Sequence, residues 1–390
     1  MPLVDIAIVA DDLTGALDSA APFAARGAVT RVAATPNLDR LGTPMPAVLS
    51  VSTTSRHLPA DAAATSVAET CDKLARLEPG LWFKKIDSTL RGNVAVEIVA
   101  ALAVSGLDHA IVCPAVPGQG RTVEGGVVIV DGVPLPKTDF VHDAVSPASP
   151  QPLADQLREA DPSLVVETHA GLPPDAPSSR GVWIVDAKNT NDLASIAAWL
   201  ADRNGRSLAV GAAGLGEALA DVLVGSRRDV ASQPIAGPIL FVIGSRAART
   251  EAQVAALLAS DTDCRVIDAP AGRFDATQTG ASLGNRSAII RIPRGPDDPT
   301  ADAVARNLGE TVATLLKHTN FGTVFLTGGD TAAAVLAAID RPVIALDGEV
   351  APGVPRGHVE LGGRSLCLVT KAGGFGDAAL LADLAGRASG

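Results

Sequence analysis

The sequence predicts an α/β protein made of two α/β domains with largely parallel sheets. Short apolar runs alternate with amphipathic helical patterns along most of the 390 residues, which is typical of strand–helix–strand units. This length suits two domains, each large enough to bury a core of its own. A polar stretch over residues 225–237, with Pro and Gly at its end, interrupts the alternation. We therefore expect one domain over residues 1–230 and a second over residues 238–390.

The first half of the chain contains short apolar runs that read as buried strands. They are Ile6–Ala10, Ala47–Val51, Leu81–Phe83, Ala110–Cys113, Val182–Val185 and Ser207–Val210. Helical patterns lie between them, over Ala16–Arg26, Ala60–Leu77, Val94–Val104, Asp192–Ala201 and Leu215–Leu223. Residues 120–136 differ, because two short apolar runs flank the dipeptide Asp131-Gly132, which favours a tight hairpin turn. We expect an inserted β-ribbon there.

The strand–helix alternation restarts after residue 237. Strands are predicted over Ile239–Ile243, Cys264–Ile267, Ala288–Ile292, Thr323–Leu326 and Ser365–Val369. Helices are predicted over Thr250–Ala259, Thr300–Leu316, Thr331–Ala338 and Ala378–Ala388. The second domain is therefore expected to repeat the α/β architecture of the first.

Composition excludes several classes of protein. No apolar run reaches the roughly 18 residues of a membrane span, and the N-terminal residues lack the pattern of a signal peptide. The net charge is −11 and no basic run exceeds two residues, which argues against a general nucleic-acid binder. The four cysteines are far apart, so neither a zinc site nor a disulfide framework is expected. We expect a cytoplasmic protein that acts on a small molecule and binds neither membrane nor nucleic acid.

Residues 84–93 hold a dense set of polar groups, Lys-Lys-Ile-Asp-Ser-Thr-Leu-Arg-Gly-Asn. The segment lies between a predicted strand and a predicted helix. Cations and donors at such a junction suit a small, hydroxylated anion. The candidate binding residues are Lys84, Lys85, Asp87, Ser88 and Arg91. The alternative is a solvated turn with an ordinary helix cap.

Two adjacent carboxylates, Asp11 and Asp12, follow the first predicted strand. Ligands of open α/β sheets bind at the carboxyl ends of the strands. The pair could therefore bind sugar hydroxyls, hold a metal or act as a general base. Helix capping would account for one of the two carboxylates but not for both. Arg56, in the polar loop after the second strand, adds a cation at the same edge, and Arg121 is a weaker candidate after the fourth.

Glycine-rich loops follow strands of the second domain. They contain Gly244-Ser245, Thr327-Gly328-Gly329-Asp330-Thr331 and Thr370-Lys371-Ala372-Gly373-Gly374-Phe375-Gly376. Glycines let the backbone approach a phosphate, and the free N–H groups of a helix N-terminus attract anions. One such loop could be a plain turn, but several in one domain favour a phosphate or nucleotide site. The chain has no GxxxxGK[ST], HExxH or GxSxG motif, so P-loop, zinc-protease and acyl-hydrolase mechanisms have no support.

Taken together, these loops resemble the four-carbon acid sugar kinases, a family that phosphorylates threonate, erythronate or 3-oxo-tetronate with ATP. The resemblance covers essentially the whole chain, and segments 84–93 and 371–376 are its most specific parts. The other matching segments are residues 10–16, 54–56, 114–122, 328–331 and 349–355, and the last segment begins at Thr370. The chain departs from the family at Gly244-Ser245-Arg246-Ala247, where a second serine is expected. This departure puts one hydroxyl contact to the nucleotide in doubt.

The resemblance implies transfer of the γ-phosphoryl group of ATP to the terminal hydroxyl of a four-carbon sugar acid. It implies an N-terminal sugar-acid domain and a C-terminal nucleotide domain, with substrate and ATP in the cleft between them. Mg²⁺ would be carried on the ATP phosphates rather than in a protein cage, so no metal-binding residue is expected. The oligomeric state stays open, with a homodimer as one expectation.

The resemblance also implies residue roles. Arg91 and Lys85, helped by Arg56, would bind the substrate carboxylate. Asp11, Asp12 and Asp87 would bind hydroxyls, and either Asp11 or Asp12 would be the base. Lys84 and Ser88 would complete this site. The expected nucleotide-binding residues are Ser245, Gly328, Gly329, Asp330, Thr331, Glu349, Gly353, Lys371, Gly373, Gly374 and Gly376.

Three alternatives remain open from the sequence. The acceptor could be a 3-oxo-tetronate rather than threonate or erythronate. The enzyme could be a Schiff-base aldolase or dehydratase that uses Lys84 or Lys85. It could also be a non-catalytic sensor of sugar acids.

Overall fold

The computed structural model describes residues 3–39, 41–143, 146–172, 180–203, 205–227, 234–260, 263–293, 299–340 and 343–389. The chain divides into two compact units, unit 1 over Met1–Arg228 and unit 2 over Asp229–Gly390. Each unit contains a mainly parallel sheet with helices between its strands, so the predicted fold class is confirmed. Within the described ranges, no helix is both long and apolar enough to cross a membrane.

Unit 1 alternates strands and helices around one parallel sheet. Its strands are β1 (Ile6–Ala10), β2 (Thr30–Ala33), β3 (Val48–Ser52), β4 (Leu81–Lys85), β5 (His109–Cys113), β6 (Arg121–Glu124), β7 (Val127–Val130), β8 (Val133–Pro134), β9 (Val165–His169), β10 (Gly181–Val185) and β11 (Leu208–Gly211). Its helices are α1 (Leu13–Ala24), α2 (Ala60–Ala75), α3 (Val94–Ser105), α4 (Leu153–Ala160), α5 (Thr190–Asp202) and α6 (Ala213–Leu223). The sheet order is β2-β3-β1-β4-β11-β5-β10-β9, and every pairing in it is parallel.

The central strands of unit 1 are buried on both faces, as expected for strands covered by helices on either side. Strands β6, β7 and β8 form the expected ribbon outside the main sheet, and it has three antiparallel strands rather than two. Short 3₁₀ turns flank the ribbon at Pro117–Gln119, Leu135–Lys137 and Asp139–His142.

Unit 2 repeats the alternation and ends in an antiparallel meander. Its strands are β12 (Ile239–Ile243), β13 (Cys264–Asp268), β14 (Ser287–Arg291), β15 (Thr323–Thr327), β16 (Val343–Ala351), β17 (Val354–Leu361) and β18 (Arg364–Lys371). Its helices are α7 (Ala248–Ala259), α8 (Ala276–Leu283), α9 (Ala301–Lys317), α10 (Gly329–Ala338) and α11 (Leu380–Ser389), with a 3₁₀ turn at Pro270–Gly272. The strands β13-β14-β12-β15-β18 are parallel, and β17 and β16 continue the sheet antiparallel.

The predicted strands and helices are present, with ends shifted by a few residues. The sequence reading missed β2, α4, β9, α8, β16 and β17. Strand β9 is an edge strand with three of its five residues exposed, so it lacks a continuous apolar run. Strand β16 contains Asp347-Gly348-Glu349 and a register irregularity, so its sequence resembles that of a loop.

Candidate functional site

Register places three polar strand ends side by side in unit 1. Ala10, at the end of β1, pairs with Ser52 of β3 on one side and with Lys85 of β4 on the other. The loops that follow these strands therefore leave the sheet at the same edge. They carry Asp11-Asp12, residues 53–56 and residues 86–93. We call this region the acceptor edge.

Arg56 holds both carboxylates of the Asp11–Asp12 pair. Its Nε and Nη2 donate to the two oxygens of Asp11 at 2.6 and 3.0 Å, and its Nη1 donates to Asp12 Oδ2 at 2.7 Å. The other oxygen of Asp12 accepts from the Gly15 N–H at 2.7 Å, so Asp12 is also the N-cap of α1. Capping thus explains Asp12, whereas Asp11 is held by the guanidinium. The Asp11 side chain is 4% exposed and that of Asp12 is 23% exposed.

A tight turn after β4 presents Asp87 and Arg91. Asp87 accepts from the backbone N–H and the hydroxyl of Thr89, at 3.0 and 2.5 Å. It also accepts from Nε and Nη2 of Arg91, at 3.1 and 2.9 Å. Gly92 has φ +84°, and a Cβ there would lie 3.1 Å from Cγ of Arg56. A glycine therefore lets the turn pack closely against the Arg56 side chain.

Arg91 is the most exposed of the cations that line the acceptor edge, with 31% of its side chain accessible. Its guanidinium carbon lies 5.9 Å from the centroid of the Phe140 ring. Its Nη1 is 3.8 Å from a carboxylate oxygen of Asp143, a looser contact than the paired hydrogen bonds to Asp87. Arg91 is thus anchored on one side and has donor capacity left on the other.

Adjacent strand residues point to opposite faces of a sheet, and Lys84 and Lys85 show the consequence. Lys84 is fully buried, with its Nζ 2.8 Å from Glu97 of α3 and 2.8 Å from the Lys85 carbonyl oxygen. Lys85 is directed toward α1, where Asp18 lies 3.7 Å from its Nζ. The Lys85 side chain is only 5% exposed, yet its ammonium makes no hydrogen bond to any residue in the described part of the chain.

The Lys84–Glu97 ion pair braces the loop that carries Arg56. Glu97 Oε1 accepts from the Ser55 hydroxyl at 2.5 Å, and this hydroxyl lies 2.6 Å from that of Thr53. The backbone N–H of Ser55 donates to the Asp11 carbonyl at 2.9 Å. The pair therefore connects α3 to the backbone beside the carboxylates without facing the site itself.

The pKa values of the carboxyl groups separate according to their partners. Burial alone would raise the pKa of each group. For Asp11, the charge and hydrogen bonds of Arg56 outweigh burial and lower the pKa. For Asp12, burial and the like charge of Asp11 outweigh Arg56, so the pKa is raised. Burial also raises the pKa of Asp18 to about 6, against the opposing charge of Lys85.

The pKa values of Asp87 and Lys85 keep both groups ionised at neutral pH. Burial would raise the pKa of Asp87, but hydrogen bonds and charge from Arg91, together with the charge of Arg56, lower it far below the ordinary value. Burial would lower the pKa of Lys85, but nearby carboxylates, first among them Asp18, raise it. The acceptor edge is thus a set of fixed charges that largely neutralise one another.

Unit 2 brings three loops together in the same way. Thr327, at the end of β15, pairs with Ile243 of β12 on one side and with Lys371 of β18 on the other. The loops that follow carry residues 244–247, 328–331 and 372–376. We call this region the glycine edge.

The first two of these loops are built around backbone groups. Gly328 has φ +94° and begins α10 without a side-chain cap. The backbone N–H of Ser245 donates to the Thr327 hydroxyl at 3.2 Å. A Cβ on Gly244 would overlap the hydroxyl of Thr331, so the loops pack closely only with glycine there. Such helix N-termini bind anions through their N–H groups.

Lys371 fixes the third loop. Its Nζ donates to the Thr250 hydroxyl at 3.1 Å and to the carbonyls of Ala372 and Gly373 at 3.1 and 3.0 Å. Burial lowers the pKa of Lys371 to about 8, and the charge of Arg249 adds to the effect. Lys371 is therefore fully engaged with oxygens of the protein, and it shapes the loop from beneath.

Two further glycines of this loop differ in their surroundings. A Cβ on Gly373 would overlap the hydroxyl oxygen of Ser245, whereas a Cβ on Gly374 would meet nothing within 4 Å. Gly376 has φ +76°. The structure therefore requires glycine at 373 and 376 for packing and conformation, and leaves residue 374 open.

The hairpin that carries Glu349 and Gly353 lies next to this loop. Glu349 Oε1 accepts from the Gly353 N–H at 3.0 Å, and Gly353 has φ +70°. A Cβ on Gly353 would overlap the Phe375 ring, so the hairpin turn packs directly on the loop after β18.

A cavity of about 280 Å³ adjoins the glycine edge within unit 2. Both polar and apolar residues line it. Its lining residues are Gly244, Arg246, Ile292, Pro299, Ala301, Val304, Ala305, Gly328, Asp330 and Thr331. Polar groups at a helix N-terminus together with apolar side chains suit a phosphorylated ligand with a flat, apolar part.

The structure brings most of the predicted acceptor residues together. Asp11, Asp12, Arg56, Asp87 and Arg91 form one hydrogen-bonded and ion-paired cluster, with Arg56 Nη2 3.9 Å from Asp87. Lys85 lies beside this cluster, and Ser88 is in the same turn as Asp87. Lys84 lies behind the strand, engaged with Glu97. Among the predicted nucleotide residues, Lys371 is turned into the protein in a comparable way.

Sequence reading missed Asp18, Glu97 and the apolar residues of the cavity. A signal existed for the first two, since each is the only charged residue in an otherwise apolar helix. A lone carboxylate in a buried helix needs a cationic partner. Ile292, Pro299 and Val304 carry no comparable signal, because apolar residues at the end of a strand or the start of a helix are ordinary core residues.

The fold defines a two-unit α/β protein with a charged strand edge in one unit and a glycine-rich strand edge in the other. A family model described as a sugar-binding N-terminal domain matches residues 6–219. One described as a nucleotide-binding C-terminal domain matches residues 240–381.

Curated relatives match along nearly their full length. The chain is 36% identical to a D-threonate kinase of Bordetella bronchiseptica, over 95% of this chain and 94% of the relative. It is 26% identical to a 3-oxo-tetronate kinase of Brucella melitensis, over 95% and 93% of the two chains. The chain belongs to the four-carbon acid sugar kinase family.

A solved structure supports the same relationship. A Bordetella bronchiseptica protein of unknown function, crystallised with citrate as a domain-swapped dimer, is 34% identical to this chain. The match covers 98% of each chain with a TM-score of 0.51.

Proposed function

We propose that this protein transfers the γ-phosphoryl group of ATP to the terminal hydroxyl of a four-carbon sugar acid, threonate or erythronate. The observation that carries the proposal is the clamp of Arg56 on Asp11 and Asp12. It holds a partly exposed carboxylate rigidly at the start of a helix, beside two further cations. The family membership and the names of the relatives support the same reaction.

Asp12 is the better candidate for the base that accepts the proton of the attacking hydroxyl. It is more exposed than Asp11, and its pKa is raised whereas that of Asp11 is lowered. A raised pKa makes a carboxylate a stronger proton acceptor near neutral pH. Asp11, with both oxygens on Arg56, fixes the guanidinium.

Asp12→Asn tests this assignment. The single amide oxygen can still accept from the Gly15 N–H and cap α1, but the amide nitrogen cannot accept from Arg56. The variant therefore keeps the helix cap and loses one of the three hydrogen bonds of Arg56, and thermal unfolding shows whether it is folded. We expect kcat to fall by about 10²- to 10⁴-fold, the usual contribution of a general base. Asp11→Asn is the matched variant and should affect acceptor KM and stability as well as kcat. A kcat of Asp12→Asn within a few-fold of the wild type would reject Asp12 as the base.

Arg91 is the proposed anchor for the carboxylate of the acceptor. Its Nε and Nη2 donate to Asp87, and among the described residues its Nη1 has a carboxylate contact only with Asp143, at 3.8 Å. A guanidinium fixed on one side can bind a carboxylate on the other with little loss of side-chain freedom.

The glycine edge is proposed to bind ATP. The N–H groups at the start of α10, over residues 328–331, would hold phosphate oxygens. The apolar side chains of Ile292, Pro299 and Val304 would take the base, and Arg246 lies in the same cavity. Among the described residues, no group of three or more His, Cys, Asp or Glu side chains is placed to hold a metal. Mg²⁺ would therefore be bound chiefly by the ATP phosphates and water, and would neutralise charge on the transferred group.

The surroundings of Lys84 and Lys85 argue against a Schiff-base mechanism. Lys84 is fully buried in an ion pair. Lys85 has a raised pKa, whereas a nucleophilic lysine needs a lowered one. Failure of borohydride to trap a sugar acid on either lysine would agree with the kinase proposal.

The direct test measures ADP release with Mg²⁺, ATP and a panel of D- and L-threonate, D- and L-erythronate and the 3-oxo-tetronates. We expect substrate-dependent ADP release with at least one acid, and the ratios of kcat/KM identify the acceptor. A preference for a 3-oxo-tetronate would correct the acceptor while leaving the reaction intact. No release with any member of the panel would reject the proposed function.

The dimeric state of the related crystal structure suggests a homodimer for this chain. Light scattering coupled to size exclusion would test it, and a mass near 39.4 kDa would instead indicate a monomer.

A further inference from the structure

Lys85 and Asp18 face each other across the acceptor edge with hydrogen-bonding capacity to spare. The Lys85 ammonium has three donors, and none is used by any residue that the structure describes. Asp18 accepts from the Ser19 hydroxyl at 3.0 Å through Oδ1, and its other oxygen accepts nothing from the described residues. A side chain that is 95% buried and makes no hydrogen bond to a described residue needs a bound ligand or a water as its partner.

The spacing of the two groups suits a bridging hydroxyl. Lys85 Nζ and Asp18 Oδ1 are 3.7 Å apart, which is too far for a direct hydrogen bond. One oxygen atom can lie about 2.7–3.0 Å from both of them. A hydroxyl can accept from an ammonium and donate to a carboxylate at the same time, which a second carboxylate cannot do.

Gly15 lets the start of α1 pack closely against Lys85 and Asp12. A Cβ on Gly15 would lie 3.0 Å from Lys85 Nζ and 2.6 Å from Asp12 Oδ1. Asp18, further along the same helix, has 13% of its side chain exposed, against 5% for Lys85. Of the two groups, Asp18 is therefore the more accessible to a ligand.

The charges around Lys85 also favour a neutral group. Asp18, Asp12 and Asp11 act on it as carboxylates, and Arg56 is the other cation that acts on it. Three negative charges against two positive ones would repel a further carboxylate. Arg91, whose Nη1 has only the 3.8 Å contact with a carboxylate in the part of the chain that the structure describes, is better placed for the acid group of the substrate.

We propose that Lys85 and Asp18 form a hydroxyl-binding subsite, in which one acceptor hydroxyl accepts from Lys85 and donates to Asp18. The inference rests on the proposed function and deepens it. It moves Lys85 from carboxylate binding to hydroxyl binding, and it makes Asp18 a residue that determines which hydroxylated acids are accepted.

The test compares the preferred acid with its monodeoxy analogues on the wild type, Asp18→Ala, Asp18→Asn and Lys85→Met. For the wild type, removal of the bridging hydroxyl should lower kcat/KM by about 10- to 100-fold, as for hydrogen bonds to charged groups. Asp18→Ala should lower kcat/KM for the full acid by a similar factor and change that for this one analogue by less than about threefold. Asp18→Asn should be intermediate, because its amide oxygen still accepts.

Asp72→Asn is the control, because Asp72 is an exposed carboxylate paired with Arg76 on α2. It should leave kcat/KM unchanged for every acid. Thermal unfolding identifies any variant that fails to fold, and Asp18→Asn keeps the test available if Asp18→Ala does not fold.

Two results would overturn the inference. If Asp18→Ala lowers kcat/KM equally for the full acid and for every deoxy analogue, Asp18 has only a structural role. Removal of the Asp18 charge would favour a carboxylate bound to Lys85, but not a neutral carboxamide. If Asp18→Asn lowers KM for the full acid and not for the analogue whose carboxylate is replaced by a carboxamide, Lys85 binds the carboxylate. An inactive wild type that binds no acid by calorimetry is a different result, because it rejects the proposed function, and the subsite with it.

Discussion

The acceptor edge of unit 1 and the glycine edge of unit 2 both lie at the carboxyl ends of neighbouring parallel strands, but different chemical groups form them. Asp11, Asp12 and Asp87 are held by arginine side chains, so the acceptor edge is a network of charges. The glycine edge offers backbone groups. Among the residues described, its one buried cation is Lys371, which donates its hydrogen bonds to oxygens of the protein. Side-chain charges can select hydroxyls and a carboxylate, whereas backbone N–H groups suit a phosphate of any parent molecule.

This contrast predicts different sensitivities to substitution. In a buried charge network, removal of one partner leaves the others uncompensated. In a backbone site, most side-chain changes are tolerated, but an added Cβ displaces the loop.

Arg56→Lys should have the largest effect. A lysine cannot reproduce three hydrogen bonds to two carboxylates, so Asp11 and Asp12 lose their fixed geometry. We expect kcat/KM for the acceptor to fall by at least about 10²-fold, the lower end of the usual contribution of a positioned general base. Binding of a non-hydrolysable ATP analogue, measured by calorimetry, should be unchanged. Arg158→Lys, in an exposed pair with Asp155, is the control.

Activity of Arg56→Lys within tenfold of the wild type would show that the clamp is not needed. Loss of nucleotide binding together with activity would instead show general unfolding, which thermal melting would reveal.

Lys84→Met and Lys85→Met are a matched pair on one strand and should separate stability from activity. Lys84→Met leaves Glu97 buried without its cation, so unfolding in denaturant should be easier by about 3–5 kcal/mol. Lys85→Met removes the cation beside Asp18 but breaks no hydrogen bond within the described residues, so the free energy of unfolding should fall by less than in Lys84→Met. Its kcat/KM should fall by about 10- to 100-fold.

Replacing both partners, Lys84→Met with Glu97→Met, should recover much of the stability, because an apolar pair leaves no uncompensated charge. Equal losses of stability in the two single variants would contradict the proposed division of roles.

These two lysines also show how far the sequence could be read. Segment 84–93 was predicted to be a ligand site at a strand end, and the structure places it at that end of the strand. Strand alternation would have separated Lys84 from Lys85, but only once the strand was known to extend to residue 85. The apolar run that predicted the strand ended at Phe83, because burial of lysines is rare without partners that lie elsewhere in the chain.

The fold was more predictable than the contacts. Apolar runs located β1 and β12 because every residue of these strands is buried, and helical periodicity located most helices because one face of each is buried. The bonds of Arg56 to Asp11 and Asp12 depend on the lateral order of β1 and β3, which periodicity does not encode. In unit 2, the sequence identified the glycines of the loops and predicted that Lys371 binds the nucleotide. It could not show the hydrogen bond of Lys371 to the Thr250 hydroxyl, because the two residues are distant in the sequence.

Gly373→Ala and Gly374→Ala form the corresponding matched pair in unit 2. A Cβ at residue 373 would displace Ser245, whereas residue 374 has open space around it. We expect Gly373→Ala to weaken ATP binding by about tenfold, equivalent to about 1.4 kcal/mol, with acceptor affinity unchanged. Gly374→Ala should bind ATP normally. Calorimetry with the ATP analogue checks both variants, and equal affinities would remove the evidence that this loop binds nucleotide.

The smallest predicted effect distinguishes the units by pH. In unit 2, His358 Nδ1 lies 2.8 Å from Asp347, and this hydrogen bond, with one to Cys367, raises the pKa of His358 to about 9. A folded pKa above the unfolded value of about 6.5 stabilises the fold fully below pH 6.5. That contribution is lost as pH rises from about 6.5 to about 9. In unit 1, the pKa of Asp18 is also raised, to about 6. The free energy of unfolding therefore also falls as pH rises, but between about pH 4 and 6.

His358→Gln should therefore reduce the melting temperature by a few degrees at pH 6 and by less at pH 9.5, whereas Asp18→Asn should change its difference from the wild type only below about pH 6. Scanning calorimetry across this range measures both differences. Parallel melting curves for the wild type and His358→Gln from about pH 6 to 9.5 would mean that the imidazolium does not stabilise unit 2. Because the two pH windows do not overlap, the pH range in which each difference changes identifies the unit whose charge is responsible.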